Sequence, residues 1–164
     1  KETGAPNPAY PQDMQPRQRD RAASAEQIER IADVYNNIAT KYGKKVGMHA
    51  HDNQKLAFAN TIEAVGDGVD YLDATYCSMG RGAGNCAMEL LLGFLKNPKY
   101  KERYAIKFVE EYMLPLKEQG IVWGYDMQYL TTGLLNQNPR TAIQFTKDER
   151  KDYFNFYQEM QNVD

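Results

Sequence analysis

The sequence predicts an α/β fold with a parallel sheet, and three observations predict it. Between residues 24 and 95 the apolar positions recur in the order helix, strand, helix, strand, helix, which is the βα alternation of a parallel sheet. The first strand segment ends in a pair of histidines, and the second runs into a glycine-rich turn. In parallel α/β architectures reactive groups collect at such places, where strands end and βα loops begin.

Taken in order, residues 1–24 stand apart from the rest. Four of the seven prolines (Pro6, Pro8, Pro11, Pro16) lie there among Gln, Arg and Asp, with Tyr10 and Met14 as the only sizeable apolar side chains. Such a stretch buries too little surface to offset its ordering entropy, so it reads as a flexible Pro-rich leader, with the domain running over 25–164. Ser24 and Gln27 form a capping-box start, and Ile28, Ile31, Tyr35, Ile38, Ala39 and Tyr42 follow at helical spacing until Gly43. A short strand spans 45–51. Leu56, Ala59, Ile62 and Val65 mark a second amphipathic helix ending near Gly66 and Gly68. A second strand covers 71–76, and after the glycine turn an apolar helix covers 87–95, closed by Asn97-Pro98.

Beyond Pro98 the pattern is mostly helical. One helix is predicted over 101–119, with Ile106, Val109, Met113 and Leu116 inward. The apolar segment Ile121-Val122-Trp123 reads as a further strand. Two more helices are predicted over 125–135 and 147–161, with a break at 136–139.

A chain of 164 residues suffices for one domain with a real core. Its formal net charge of -2, without a basic stripe, argues against nucleic acid and against anionic membranes as partners. No apolar run approaches the roughly 20 residues of a membrane span and no signal-type segment opens the chain, so a cytoplasmic protein is expected. Cys77 and Cys86 are spaced neither as a redox pair nor as a zinc knuckle and are expected to be reduced thiols.

The chemistry concentrates at Val46-Gly47-Met48-His49-Ala50-His51-Asp52-Asn53, because His49 and His51 are the only histidines in the chain. Side chains two apart on a strand share a face, so both imidazoles aim at one spot, as two legs of a divalent-metal site do. Two exposed or hydrogen-bonded histidines at a strand end are the plainer reading. Gly80-Arg81-Gly82-Ala83-Gly84-Asn85 follows the neighbouring strand, where the Asn85 amide oxygen reaches toward a metal held by the histidines. The loop lacks the Lys-Ser/Thr pair of a Walker loop and the full G-x-G-x-x-G spacing, so phosphate cradling is the weaker alternative beside a simple tight turn. Asp52 and Asn53 are placed to cap the second helix. Asp73 lies on a strand expected to be buried on both faces, where a carboxylate needs a partner, such as a histidine it orients. Tyr125, directly after Gly124, sits at an element boundary where its hydroxyl can reach a cleft.

The stretch Gly47 to Asn53, then Ala59-Asn60, Ala64-Val65, Val69 to Ala74 and Gly80 to Asn85, closely resembles 4-hydroxy-2-oxovalerate aldolases. These belong to the metal-dependent superfamily that also holds hydroxymethylglutaryl-CoA lyase and isopropylmalate synthase. The resemblance runs from about residue 25 to about residue 145. It implies a (β/α)8 barrel carrying manganese or magnesium at the C-terminal mouth of its strands, with His49, His51 and Asn85 at the metal. It further implies a small 2-oxo acid substrate approached by Gly80 and Tyr125, the latter in the catalytic neighbourhood, and cleavage of a 4-hydroxy-2-oxo acid to pyruvate and an aldehyde.

Two departures shape the expectation. The glycine loop lacks the catalytic cysteine of the lyases, with Cys77 lying earlier, which favours the aldolase branch. A full barrel needs roughly 250 residues, and the family's first-strand aspartate and arginine have no counterpart here. The chain is therefore expected to be the C-terminal portion of a barrel, about strands six to eight with their helices plus C-terminal helices, and to be inactive alone. The alternatives are a non-catalytic fragment or assembly module, whose open sheet edge pairs with a second copy or a companion fragment, and an isopropylmalate synthase-like condensing enzyme. As partners of the aldolase, the resemblance implies a homo-oligomer or a companion dehydrogenase.

Overall fold

In the computed structural model, residues 25–95 and 99–162 are described, so the Pro-rich leader, Ser24 of the capping box and Asn97-Pro98 lie outside the described residues. The expected alternation is present. Helix α1 (Ala25–Lys41) leads into strand β1 (Gly47–His49), helix α2 (Ala57–Gly66), strand β2 (Tyr71–Asp73) and helix α3 (Met88–Leu95). The strands pair in parallel, with Gly47 opposite Tyr71, Met48 opposite Leu72 and His49 opposite Asp73. Asp70 sets that register at the entrance to the pair. Its carboxylate accepts from Lys45 Nζ at 2.6 Å and from the Val46 amide at 3.0 Å. The Lys45 ammonium first, and then the Val46 N–H, hold the Asp70 carboxyl below its ordinary range.

Strand alternation sorts the sheet into two unlike faces. Met48, Leu72 and Ala74 pack on a cluster of Ala50, Ala57, Cys86 and Leu91, together with Phe58 and Ile62. Helices α2 and α3 therefore cover one face. The other face carries Gly47, His49, Tyr71 and Asp73, all exposed among the described residues. The expectation that β2 is buried on both faces fails for this reason. Asp73 projects from the open face, with its side chain 75% exposed.

The helices present faces rotated from those the sequence predicts. On α2 the buried residues are Ala57, Asn60, Thr61 and Ala64, while Leu56 and Ala59 are exposed. On α1, Ile28, Ala32 and Ala39 are buried, whereas Ile31, Val34, Tyr35, Ile38 and Tyr42 are exposed. Small residues hold most of the buried positions of both helices. The larger apolar side chains of α1 are left as a stripe.

The long helix predicted over 101–119 is broken into α4 (Glu102–Phe108), a wider π turn (Val109–Met113) and α5 (Leu114–Glu118). Pro115 explains the change, since its ring lacks an N–H for the Glu111 carbonyl and crowds it, and a π turn just upstream relieves that contact. Residues 121–123 form no strand. Val122 is 88% exposed, and Trp123 instead donates its indole N–H to the Cys77 carbonyl at 2.9 Å.

Helix α6 (Met127–Leu134) begins at Asp126, whose carboxylate accepts from the Met127 amide. The break predicted at 136–139 is real but short, because Asn138 caps and Pro139 opens helix α7 (Pro139–Lys147). The single helix predicted over 147–161 is replaced by the end of α7, a turn, and α8 (Tyr153–Gln161). Glu149 adopts φ +52° in that turn, a left-handed conformation that no helix continues through. Arg150 then binds Asp152 at 2.7 Å and Glu159 at 2.9 Å and lies over the Phe145 and Phe156 rings, pinning α7 to α8.

Candidate metal centre

The histidines reach one place by simple register. His49 ends β1, and His51 follows it by two residues with its ring centroid 4.9 Å from that of His49, edge to face. His51 is bridged in antiparallel sense to Asn85 of the glycine loop. The flanking hydrogen bonds run from the Asp52 amide to the Gly84 carbonyl at 2.9 Å and from the Cys86 amide to the Ala50 carbonyl at 3.2 Å. The loop is thereby folded back onto the end of β1, and His49, His51 and Asn85 gather at the C-terminal end of the sheet.

Glycines shape this loop at two positions. Gly84 has φ +86°, and a β-carbon there would collide with the Ser78 carbonyl. Gly80 lies against the Asn85 side chain, where a β-carbon would stand 2.7 Å from Nδ2. Gly80, expected to approach the substrate, here leaves room for the Asn85 side chain. The Asn85 amide nitrogen donates to the Met79 carbonyl at 3.3 Å, while its Oδ1 is buried without a hydrogen-bond partner.

That orphaned oxygen tests whether the residues fit a divalent ion. A buried amide oxygen without a donor costs free energy unless something electropositive meets it. On a residue bridged to His51, its chemistry suits a hard or borderline cation. Among the described residues, no group of three or more His, Cys, Asp or Glu side chains converges as a complete ligand set. The donor types are compatible with a divalent ion, and the described residues show no complete site for one.

Thr75 is not singled out by the sequence. It follows Asp73 by two residues, its backbone is extended, and its Oγ1 is buried without a partner. Alternation along β2 from Asp73 was the signal that could have found it. Asp73 itself reaches His49, with Oδ2 3.3 Å from Nδ1.

Asp52 serves as a cap, as expected. Its buried carboxylate accepts from the Ala57 amide at 3.2 Å and from Lys55 Nζ at 2.7 Å. Asn53 has another role and packs against Gly133 of α6. Tyr125 lies under Lys55, whose ammonium is 5.3 Å from the ring centroid, and its hydroxyl faces Met127 Sδ at 4.0 Å. It thus adjoins the loop that leaves His51, with its contacts on Lys55 and Met127. Both cysteines are free. Burial, with Glu89 adding to it, pushes the Cys77 thiol up, and burial does the same to Cys86, so neither is an activated nucleophile.

A two-stranded parallel βα core, with a histidine pair and a glycine-loop asparagine at its C-terminal end, makes this an α/β protein. The model of the HMGL-like family matches residues 22–112, and the chain belongs to that family. A 4-hydroxy-2-oxovalerate aldolase of Bacillus thuringiensis is 33% identical over 117 residues, which is 65% of this chain and 34% of that enzyme. An oxaloacetate decarboxylase of Mycobacterium tuberculosis is 51% identical over 51 residues, 31% of this chain and 15% of that protein. Among solved structures, the N-terminal domain of a candidate aldolase from Bacteroides vulgatus superposes with a TM-score of 0.63 at 28% identity, covering 78% of this chain and 42% of that one. The chain spans about a third or less of the length of these curated relatives. No helix among the described residues is long and apolar enough to cross a membrane.

Proposed function

We propose that this chain is part of a divalent-metal-dependent aldolase that cleaves a 4-hydroxy-2-oxo acid to pyruvate and an aldehyde. The observation that carries the reading is the close pair of His49 and His51 bridged by backbone to Asn85, whose buried side-chain oxygen has no partner, at the end of a parallel βα pair. Those three residues would hold manganese or magnesium. The bound cation would supply Lewis-acid stabilisation of the charge that develops on the 2-oxo oxygen as the carbon–carbon bond breaks. Asn85 keeps its oxygen free by donating only through its nitrogen, and Gly80 leaves room for it. Thr75 offers a hydroxyl on the same face. Tyr125 is assigned to the substrate side of the mouth, and a cytoplasmic setting accords with the two free thiols.

The architecture that fits is the C-terminal portion of a (β/α)8 barrel, about strands six to eight with their helices. The open face of the β1–β2 pair, which bears the candidate ligands, would line the barrel interior. Two imidazoles and an amide carry no negative charge to balance a dication, so the site needs a carboxylate from elsewhere. The 164-residue chain alone is expected to release little or no pyruvate from 4-hydroxy-2-oxovalerate or from oxaloacetate. Robust, metal-dependent pyruvate release by the purified chain would overturn the partial-site reading. Release that is unaffected by His49→Ala would overturn the site itself.

A second reading, an assembly module that pairs with another copy or a companion protein, is favoured by one specific observation. The exposed stripe Ile31, Val34, Tyr35, Ile38 and Tyr42 on α1 is an apolar face of the kind that marks an interaction surface.

A further inference from the structure

His49 and Asp73 are direct partners in the parallel ladder and project from the same open face. Across the two strands Asp73 Oδ2 lies 3.3 Å from Nδ1 of His49. Both side chains are exposed, so burial does not force them together, and an exposed pair of this kind adds little to folding. What the contact does fix is the ring. An imidazole has one nitrogen to donate and one to accept in its neutral form, and a carboxylate on Nδ1 selects the tautomer with the proton there. The lone pair is then on Nε2, the nitrogen left for a ligand. The same contact sets the ring plane against His51, whose ring stands at 83° to it.

The geometry points to Asp73 as a positioning residue that holds His49 in its Nδ1–H tautomer and turns Nε2 toward the candidate centre. This rests on the metal reading above only for its purpose, since the tautomer can be read without any metal. Carboxylate partners of metal-binding histidines orient the ring and raise its basicity, and their loss costs on the order of 10–100-fold in metal affinity.

The test compares the full chain with Asp73→Ala and Asp73→Asn by long-range 1H–15N spectra of the two histidines at about pH 8.5, roughly two units above the ordinary imidazole value. The chain is expected to show His49 protonated on Nδ1. Asp73→Ala is expected to move that proton to Nε2, with the His51 tautomer unchanged. Asp73→Asn retains an acceptor oxygen and is expected to keep the Nδ1–H form. Backbone amide spectra check that each variant folds, which the exposure of Asp73 favours. Manganese titration by calorimetry supplies a second readout, with an affinity loss on the order of 10–100-fold in Asp73→Ala and a smaller one in Asp73→Asn. Identical His49 nitrogen shifts in all three proteins would overturn the positioning role. Absence of manganese binding to the unmodified chain would instead overturn the metal reading, and the tautomer comparison would still decide the role of Asp73.

Discussion

His51 and Asn85 face one another across an isolated antiparallel bridge, so the glycine loop is held to the end of β1 by backbone rather than by side chains. The position of Asn85 therefore depends on whether the loop between Ser78 and Cys86 can close.

Gly84→Ala is expected to prevent that closure. Its φ of +86° is strained for alanine, and the new methyl would meet the Ser78 carbonyl. The cost is expected to exceed about 1–3 kcal/mol, read as a lowered urea midpoint. Gly66→Ala is the contrasting change. Gly66 lies in α2 with open space around it. That variant is expected to gain about 0.5–1 kcal/mol from helix propensity. Equal effects of the two substitutions would contradict the account of the loop.

Gly80→Ala is expected to act on the site more than on the fold. The added carbon would stand 2.7 Å from Asn85 Nδ2, and the amide must turn to avoid it. The measurement is manganese affinity beside thermal stability, with affinity falling several-fold while the melting temperature changes little.

Arg150 gives the α7–α8 corner a defined acid response. The Arg150 guanidinium holds the Asp152 carboxyl down to about 2, against an ordinary value of 3.8. The stabilisation from this pair is therefore fully present above about pH 4 and is lost as pH falls through about 2. Asp152→Asn is expected to flatten acid unfolding in that window, followed by circular dichroism, and to leave the stability curve near neutrality parallel to that of the parent. An unchanged acid limb would show that the ion pair carries no folding energy.

The stripe on α1 makes a prediction about association. Replacing Ile31 and Ile38 together by Lys breaks the apolar face without touching a buried residue. Light scattering is expected to show less association at high concentration than in the parent chain. Clean monomers in both would count against any covering partner of this face.

The parallel βα pair and the meeting of His49, His51 and Asn85 were legible in the sequence because strand parity and the βα order are local properties. The glycine loop was legible as a turn, but the pressure of Asn85 on Gly80 was not, since it depends on the folded path of the loop. The exposure of Asp73 is not legible in the sequence, because among the described residues the helices pack on the Met48 and Leu72 face of its strand. The segment Ile121-Val122-Trp123 has strand-like residues and forms none. Its indole is used to tie it to the Cys77 carbonyl, and its composition does not show that. The division of 139–161 into two helices turns on Asn138 capping the Arg140 amide, with Pro139 opening the helix, and on a left-handed Glu149, local signals that the apolar pattern alone hides.

The central claim is that His49, His51 and Asn85 form part of a divalent-metal site, and manganese binding to the chain tests it most directly. Calorimetry or bound-metal analysis is expected to show weak, saturable binding at one site, lost in His49→Ala and weakened in Asn85→Ala. Equal binding by the chain and both variants, or none by any of them, would contradict it.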